Sequence, residues 1–235
     1  MTRAAARAAP QVRSLKCLKA RLLRYLENNR DDLFKKSARG GPLLTRGNFA
    51  IGAGAACPFN EKFRGCKGFR VKPCRNGSST VHCVRSVEQQ LAAKKVKRVH
   101  YDAYLLAKDV LEKVDPEYAG GEYRVQFAYM NDPSHRVSKH KDSSDVNFQY
   151  ALSLGNFSGA KLRAYNEDET NWKDFDYKGR VLRVDGRLSH EVVLDHFVGD
   201  RYTIIFYKNY DHRYKTPFGD KPLMLTPCFV NESKL

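Results

Sequence analysis

The chain holds two His-x-Asp triplets, His100-Tyr101-Asp102 and His140-Lys141-Asp142. A triplet of this kind arises by chance in ordinary sequences, so context separates the two. His100 falls between two predicted helices, where Asp102 suits a helix cap, and this triplet is read as structural. His140 follows a predicted strand and its Asn131-Asp132-Pro133 turn and just precedes the next strand, the position of a rim in a β barrel. A further imidazole, His190, stands 48 residues after Asp142, behind the turn Asp185-Gly186 and ahead of the apolar run Val192–Leu194. Two neutral nitrogen donors and one carboxylate on one face of a metal leave three positions open, an arrangement suited to Fe(II) and oxygen chemistry.

A second chemical group follows 11 residues after His190, in the run Gly199-Asp200-Arg201-Tyr202-Thr203-Ile204-Ile205-Phe206-Tyr207. The two-residue period of a strand puts Arg201, Thr203 and Ile205 on one face. An arginine inside a barrel requires an anion, because an unpaired buried charge is costly. Its planar fork suits a carboxylate, and the Thr203 hydroxyl adds a hydrogen bond.

These groups need strands to hold them. Tyr123–Met130, Phe148–Leu154, Lys161–Tyr165, Arg180–Val184 and Arg201–Tyr207 are short runs rich in β-branched and aromatic residues, separated by turn residues. Short strands at regular spacing predict a sandwich or barrel. Ahead of them, Leu15, Leu18, Leu22 and Leu26 mark an amphipathic helix over 12–27. Ser86 and Gln89 form a capping-box pattern opening a second helix. A third is predicted over 101–114, with Tyr101, Tyr104, Leu105, Leu111 and Val114 on or near one face and Pro116 and Gly120-Gly121 ending it. Residues 37–83 read as loop with short strands, and residues 209–235 as an irregular tail. Helices followed by a β core give an α+β fold. The expected organisation is a basic extension over 1–100, a β core with its leading helix over 101–210 and a tail over 211–235.

Of 235 residues, 42 are Lys or Arg and 26 are Asp or Glu, a net charge of +16. Residues 1–100 carry 23 of those bases and five of those acids, so the excess lies wholly in the first part of the chain. That asymmetry points to a polyanionic partner, nucleic acid or an anionic surface. Lys94, Lys95, Lys97 and Arg98 read as a nuclear localisation signal, a phosphate-contacting patch or a solvated helix face. No window is apolar enough for a membrane span, and the N-terminus lacks the apolar stretch of a secretory signal, although its Arg- and Ala-rich composition also fits an organelle transit peptide. An intracellular and preferentially nuclear location is expected. Cys57, Cys66, Cys74 and Cys83 are spaced 9, 8 and 9 apart. Zinc sites favour tighter pairs, so buried thiols are the simpler reading and a zinc site the alternative.

From about Tyr123 to Tyr207 the chain resembles the double-stranded β-helix (jelly-roll) core of the Fe(II)/2-oxoglutarate-dependent oxygenases. His140, Asp142 and His190 match the family's HxD…H metal ligands, and Arg201 with Thr203 matches the pair that holds the distal carboxylate of 2-oxoglutarate. The stretches Leu152–Leu162, Gly186–Val192 and Gly199–Phe206 resemble more narrowly the TET and J-binding-protein branch, which oxidises methyl groups on DNA bases; Ala160 stands where that branch has a second glycine. The resemblance implies Fe(II), 2-oxoglutarate as co-substrate, dioxygen, and ascorbate in support. The implied reaction couples decarboxylation of 2-oxoglutarate to hydroxylation of a C–H bond, the cofactor supplying the chemistry and the protein the positioning. Tyr129 and Asn131, on the strand and turn leading to His140, are further candidates for binding 2-oxoglutarate, or else a core tyrosine and a turn asparagine. His135 and His196 read as surface or supporting groups. Trp172, in the acidic insertion 167–176, reads as an anchored loop aromatic or a stacking surface for a base. The expected substrate is a methylated base of 5-methylcytosine or thymine type, on DNA more than RNA, bound through residues 1–100. The alternative is a protein side chain, as in prolyl hydroxylases, or a small molecule.

Overall fold

The computed structural model describes residues 13–34, 46–52, 87–92, 96–121, 123–135, 137–142, 145, 147–208 and 226–235. Cys57, Cys66, Cys74, Cys83, Ser86, Lys94 and Lys95 lie outside these residues, so the readings placed on them stay as expectations. The described residues form helices α1 (Leu15–Asn28), α2 (Arg30–Leu33), α3 (Val87–Ala92), α4 (Arg98–Val114) and α5 (Pro116–Gly120). They also form strands β1 (Arg46–Gly52), β2 (Arg124–Met130), β3 (Gln149–Leu154), β4 (Phe157–Tyr165), β5 (Trp172–Phe175), β6 (Val181–Val184), β7 (His190–Gly199), β8 (Arg201–Tyr207) and β9 (Cys228–Phe229). One antiparallel sheet has the order β1-β2-β8-β3-β6-β9 and a second the order β5-β4-β7. The architecture is mixed helix and antiparallel sheet.

Helix α1 forms because its leucines recur at helical spacing and all four are buried, while the Ser14 hydroxyl caps it by accepting from the Cys17 N–H at 3.3 Å. Burying a leucine stabilises by roughly 1.5–3 kcal/mol, and Leu22 and Leu26 are fully buried. Helix α4 packs beside α1 through Ala103, Tyr104, Ala107, Val110 and Leu111. Two small residues, Ala103 and Ala107, thus replace part of the expected aromatic stripe. The expected structural role of the first triplet changes in detail. The helix begins at Arg98 with Lys97 at its cap, so His100 and Asp102 lie within it. Asp102 pairs with Arg98 one turn back at 2.8 Å, and His100 Nε2 sits 3.3 Å from the Leu33 carbonyl. Pro116 opens α5 rather than only closing α4, with Asp115 as its cap at 2.8 Å from the Tyr118 N–H.

The helices cover one face of the six-stranded sheet. Val125, Phe127, Tyr129, Leu152, Leu154, Val181, Tyr202, Ile204 and Phe206 form that face and share one core with α1 and α4. The other face meets the three-stranded sheet. Ala151, Leu182 and Val184 pack there against Leu162, Ala164, Phe175 and Tyr177, and Met130 packs against Phe157, Ala160 and Phe197.

Strands from the first and last quarters of the chain enter the large sheet. Strand β1 pairs along the whole of β2, and β9 pairs with β6. The described parts of the basic extension, α1 and β1, thus pack on the core, and β9 of the tail adds to its sheet. The tail adds a strand and then a cross-link: Glu232 accepts from the Val181 N–H at 2.9 Å and pairs with Lys19 of α1 at 2.6 Å. The insertion 167–176 contains β5, which the sequence reading treated as loop. No helix among the described residues is long and apolar enough to cross a membrane.

Candidate metal and anion site

The ligand-bearing segments are held by backbone pairing. His140 and His190 face each other across an antiparallel bridge, exchanging N–H···O bonds of 3.0 and 2.9 Å. Residues directly opposite in such a bridge share a face, and the two imidazole centroids are 4.3 Å apart. Asp142 is fixed by its N–H to the Gly186 carbonyl at 2.7 Å. Its carboxylate lies 3.9 Å from His140 Nε2 and 3.8 Å from His190 Nε2, and the potential ligand atoms of the three residues all fall within 4.8 Å of one another.

The protonation of this group follows from its surroundings. His140 Nδ1 lies 2.8 Å from the Ser138 carbonyl and His190 Nδ1 lies 2.9 Å from the Leu188 carbonyl. A carbonyl only accepts, so each Nδ1 carries a hydrogen, which leaves each Nε2, on the side of Asp142, as the atom available to a metal. Burial lowers the pKa of His190, and the neighbouring His140 adds to this, while the Leu188 carbonyl opposes it. The His190 ring is thus kept in the neutral form a metal needs. Donors about 2.1 Å from one ion stand about 3 Å apart when adjacent on an octahedron. The two His–Asp separations of 3.9 and 3.8 Å therefore need to shorten by about 1 Å for the three side chains to hold a divalent first-row ion.

Asp142 has a support that sequence reasoning missed. Gln149, buried at the start of β3, donates its amide to Asp142 Oδ2 at 2.6 Å and to Asp145 Oδ2 at 2.7 Å. Gly186 makes this possible, because a Cβ there would stand 2.4 Å from Gln149 Nε2 and 2.8 Å from Asp145 Oδ2. Asp145 is pushed up to about 7, chiefly by burial and further by Asp142 and Asp185, against the Gln149 bond.

Arg201 opens β8 and is 4% exposed. It sits opposite Met130, while Thr203 sits opposite Ser153, so Arg201 and Thr203 share the face that meets the small sheet. His190, opposite Ala164, lines the same interior from the small sheet. Arg201 donates to Ser153 Oγ at 3.0 Å and to the Tyr177 hydroxyl. Neither partner was evident from the sequence, since Ser153 becomes a neighbour only through strand register and Tyr177 through the connection between β5 and β6. No acidic group among the described residues pairs with Arg201. The turns that begin β4 and β8 meet tightly beside it: Gly155 (φ 117°) and Gly199 (φ 96°) would each drive a Cβ to about 2 Å from a backbone oxygen of the opposing turn.

The remaining candidates fall elsewhere. Tyr129 pairs with Tyr202 on the helix-covered face and donates to Asp200 Oδ1 at 2.6 Å, so the expectation that it binds the co-substrate is corrected. One residue along a strand reverses the face, and Tyr129 is one residue from Met130, which does face the interior. Asn131 is exposed just past the end of β2. His196 is exposed in the bulged part of β7, apart from the triad. Trp172 is 56% exposed on β5.

Comparison with protein-family models gave no match, and none of the curated proteins matched. Among solved structures, a Pseudomonas putida prolyl-4-hydroxylase is 15% identical over 84% of this chain and 86% of its own, at a TM-score of 0.39. An oxidoreductase of the 2OG-Fe(II) oxygenase family from Burkholderia pseudomallei is 17% identical over 57% of this chain and 63% of its own, at 0.35. A 7S globulin of Momordica charantia is 12% identical over 39% of this chain, which spans 24% of that protein, at 0.31. With every score below 0.5, the functional reading rests on the geometry of the site.

Proposed function

We infer that the chain is an Fe(II)/2-oxoglutarate-dependent dioxygenase that hydroxylates a C–H bond, with a methyl group on a nucleic-acid base as its substrate. The observation that carries the chemistry is Arg201, a buried cation on the inner face that also receives the His140–Asp142–His190 cluster. A buried guanidinium whose partners among the described residues are two neutral hydroxyls and the rings of Phe157 and Tyr177 calls for an anion, and a dicarboxylate reaching from metal to arginine supplies one. His140, Asp142 and His190 would hold iron, which when bound supplies the activation of dioxygen. Arg201 would take the far carboxylate, with Thr203 beside it and Ser153 and Tyr177 holding the guanidinium in place. Gln149 would keep the Asp142 carboxylate turned toward the two Nε2 atoms.

The substrate class draws on the excess charge of residues 1–100, which suits phosphate contacts whose affinity falls with salt. The test is turnover of purified protein with Fe(II), 2-oxoglutarate and ascorbate against methylated DNA, methylated RNA and a peptide library, followed by succinate release and mass spectrometry. Succinate release dependent on methylated nucleic acid, with a mass gain of one oxygen on the base, is the expected result. Turnover on peptides alone would replace the substrate, and no succinate with any of them would overturn the chemistry.

A further inference from the structure

Lys139 and Lys141 flank His140, and Ser189 precedes His190, so all three are chain neighbours of proposed metal ligands. All three side chains converge on one carboxylate that comes from elsewhere. Glu169, in the β4–β5 connection, accepts from Lys139 Nζ at 2.6 Å, Lys141 Nζ at 2.9 Å and Ser189 Oγ at 2.6 Å. Glu169 reaches them from a left-handed backbone conformation (φ 61°), which is uncommon for a residue other than glycine. Two lysines and a hydroxyl around one carboxylate form a ready anion-binding group, and their bonds hold Glu169 ionised well below the usual carboxylate range. The ion pairs are open to water: the side chains of Lys139, Lys141 and Glu169 are 40%, 46% and 33% exposed. Pairs this exposed are weak, so an anion arriving from solution can compete for the lysines. Aromatic surface adjoins the group. Lys139 Nζ lies 4.0 Å above the Tyr165 ring, and Tyr165 is 6.1 Å from the exposed Trp172.

We propose that Lys139, Lys141 and Ser189 form a phosphate-binding site at the rim of the metal cluster, that Glu169 fills it in the substrate-free protein, and that a backbone phosphate of single-stranded nucleic acid displaces Glu169 while Tyr165 and Trp172 offer stacking surface. Phosphate and base chemistry occur together in nucleic acid, and a neighbouring aromatic pair distinguishes it from a simple acidic ligand. The proposal deepens the functional reading above by naming what reaches the rim. Binding here requires neither iron nor turnover, so its failure is distinguishable from an absence of oxygenase chemistry.

Trp172 is the only tryptophan in the chain and reports on this rim directly. Full-length protein is titrated with a short oligothymidylate and, separately, with oligoglutamate, following Trp172 fluorescence. Oligothymidylate is expected to change the fluorescence in the wild type. Glu169→Gln removes the internal competitor and should bind roughly three- to fivefold tighter. Lys139→Ala/Lys141→Ala should bind at least about tenfold weaker. Glu169→Asp, which keeps the charge but shortens its reach, provides a second route to tighter binding if Glu169→Gln folds poorly. Unchanged affinity in the glutamate and lysine variants, or a response to oligoglutamate alone, would overturn the proposal.

Discussion

The two faces of β8 do opposite work within seven residues. Tyr202, Ile204 and Phe206 point into the helix-covered core and are almost fully buried among apolar groups. Arg201 and Thr203 alternate with them, also buried, but face hydroxyls and the second sheet. The strand period enforces this division, since neighbours cannot share a face. One face converts buried area into stability, whereas the other keeps a cation away from water where a bound anion can partner it. Substitutions on the two faces should therefore separate stability from ligand affinity.

The largest effect is expected on the apolar face. Phe206→Ala should lower stability by about 3–5 kcal/mol, read from urea midpoints at constant slope, because it leaves a cavity in a closely packed core. In the surviving folded fraction, affinity for 2-oxoglutarate should be retained. The converse substitution, Arg201→Met, should abolish 2-oxoglutarate binding measured calorimetrically while leaving the urea midpoint unchanged or higher, since an apolar chain replaces a cation lacking a charged partner. If Arg201→Met unfolds the protein instead, the arginine belongs to the scaffold and the division between faces fails.

A smaller effect sharpens the same contrast inside the site. Gln149→Leu preserves volume but withdraws the amide from Asp142, and Mn(II) affinity should fall about 10- to 100-fold with little change in thermal midpoint. Gly186→Ala should have the same effect, because its methyl group would occupy the space of the Gln149 amide.

The smallest effect is a pH dependence. Asp145 has a folded pKa of about 7 against an ordinary value of 3.8. The folded state therefore binds more protons than the unfolded state between those values, and the stability this group contributes at low pH is lost as pH rises from about 4 to 7. Asp145→Asn should remove that loss, so the urea midpoint of the variant should gain on the wild type between pH 5 and pH 7. His190 works in the other direction. Its depressed pKa means stability is complete above the ordinary histidine value of 6.5 and is lost as pH falls below it.

Much of this division was legible in the sequence. Leu15, Leu18, Leu22 and Leu26 announce their helix, and strands β2, β3, β6 and β8 lie within a residue of the runs that predict them. The alternation of Arg201 and Thr203 follows from period alone. Partners were illegible wherever register decides them. Ser153 meets Arg201, and Gln149 meets Asp142, only after β3 pairs with β8 and the Asp142 loop folds back to Gly186. Tyr129 failed for the same reason, as proximity in sequence to His140 does not reveal which face of β2 it occupies. Strand β1 falls in the stretch 37–83 that reads as loop with short strands, whereas β9 carries too little pattern to be separated from the tail; each pairs at a sheet edge that the sequence does not reveal.

The central claim is that metal and arginine act together on one dicarboxylate. Its most direct test is anaerobic calorimetric titration of 2-oxoglutarate into protein with and without Fe(II), for the wild type, His140→Ala/Asp142→Ala and Arg201→Met. Binding that requires Fe(II), and that either set of substitutions abolishes, is the predicted result. Binding that is indifferent to iron, or that persists at wild-type affinity without Arg201, would contradict the account.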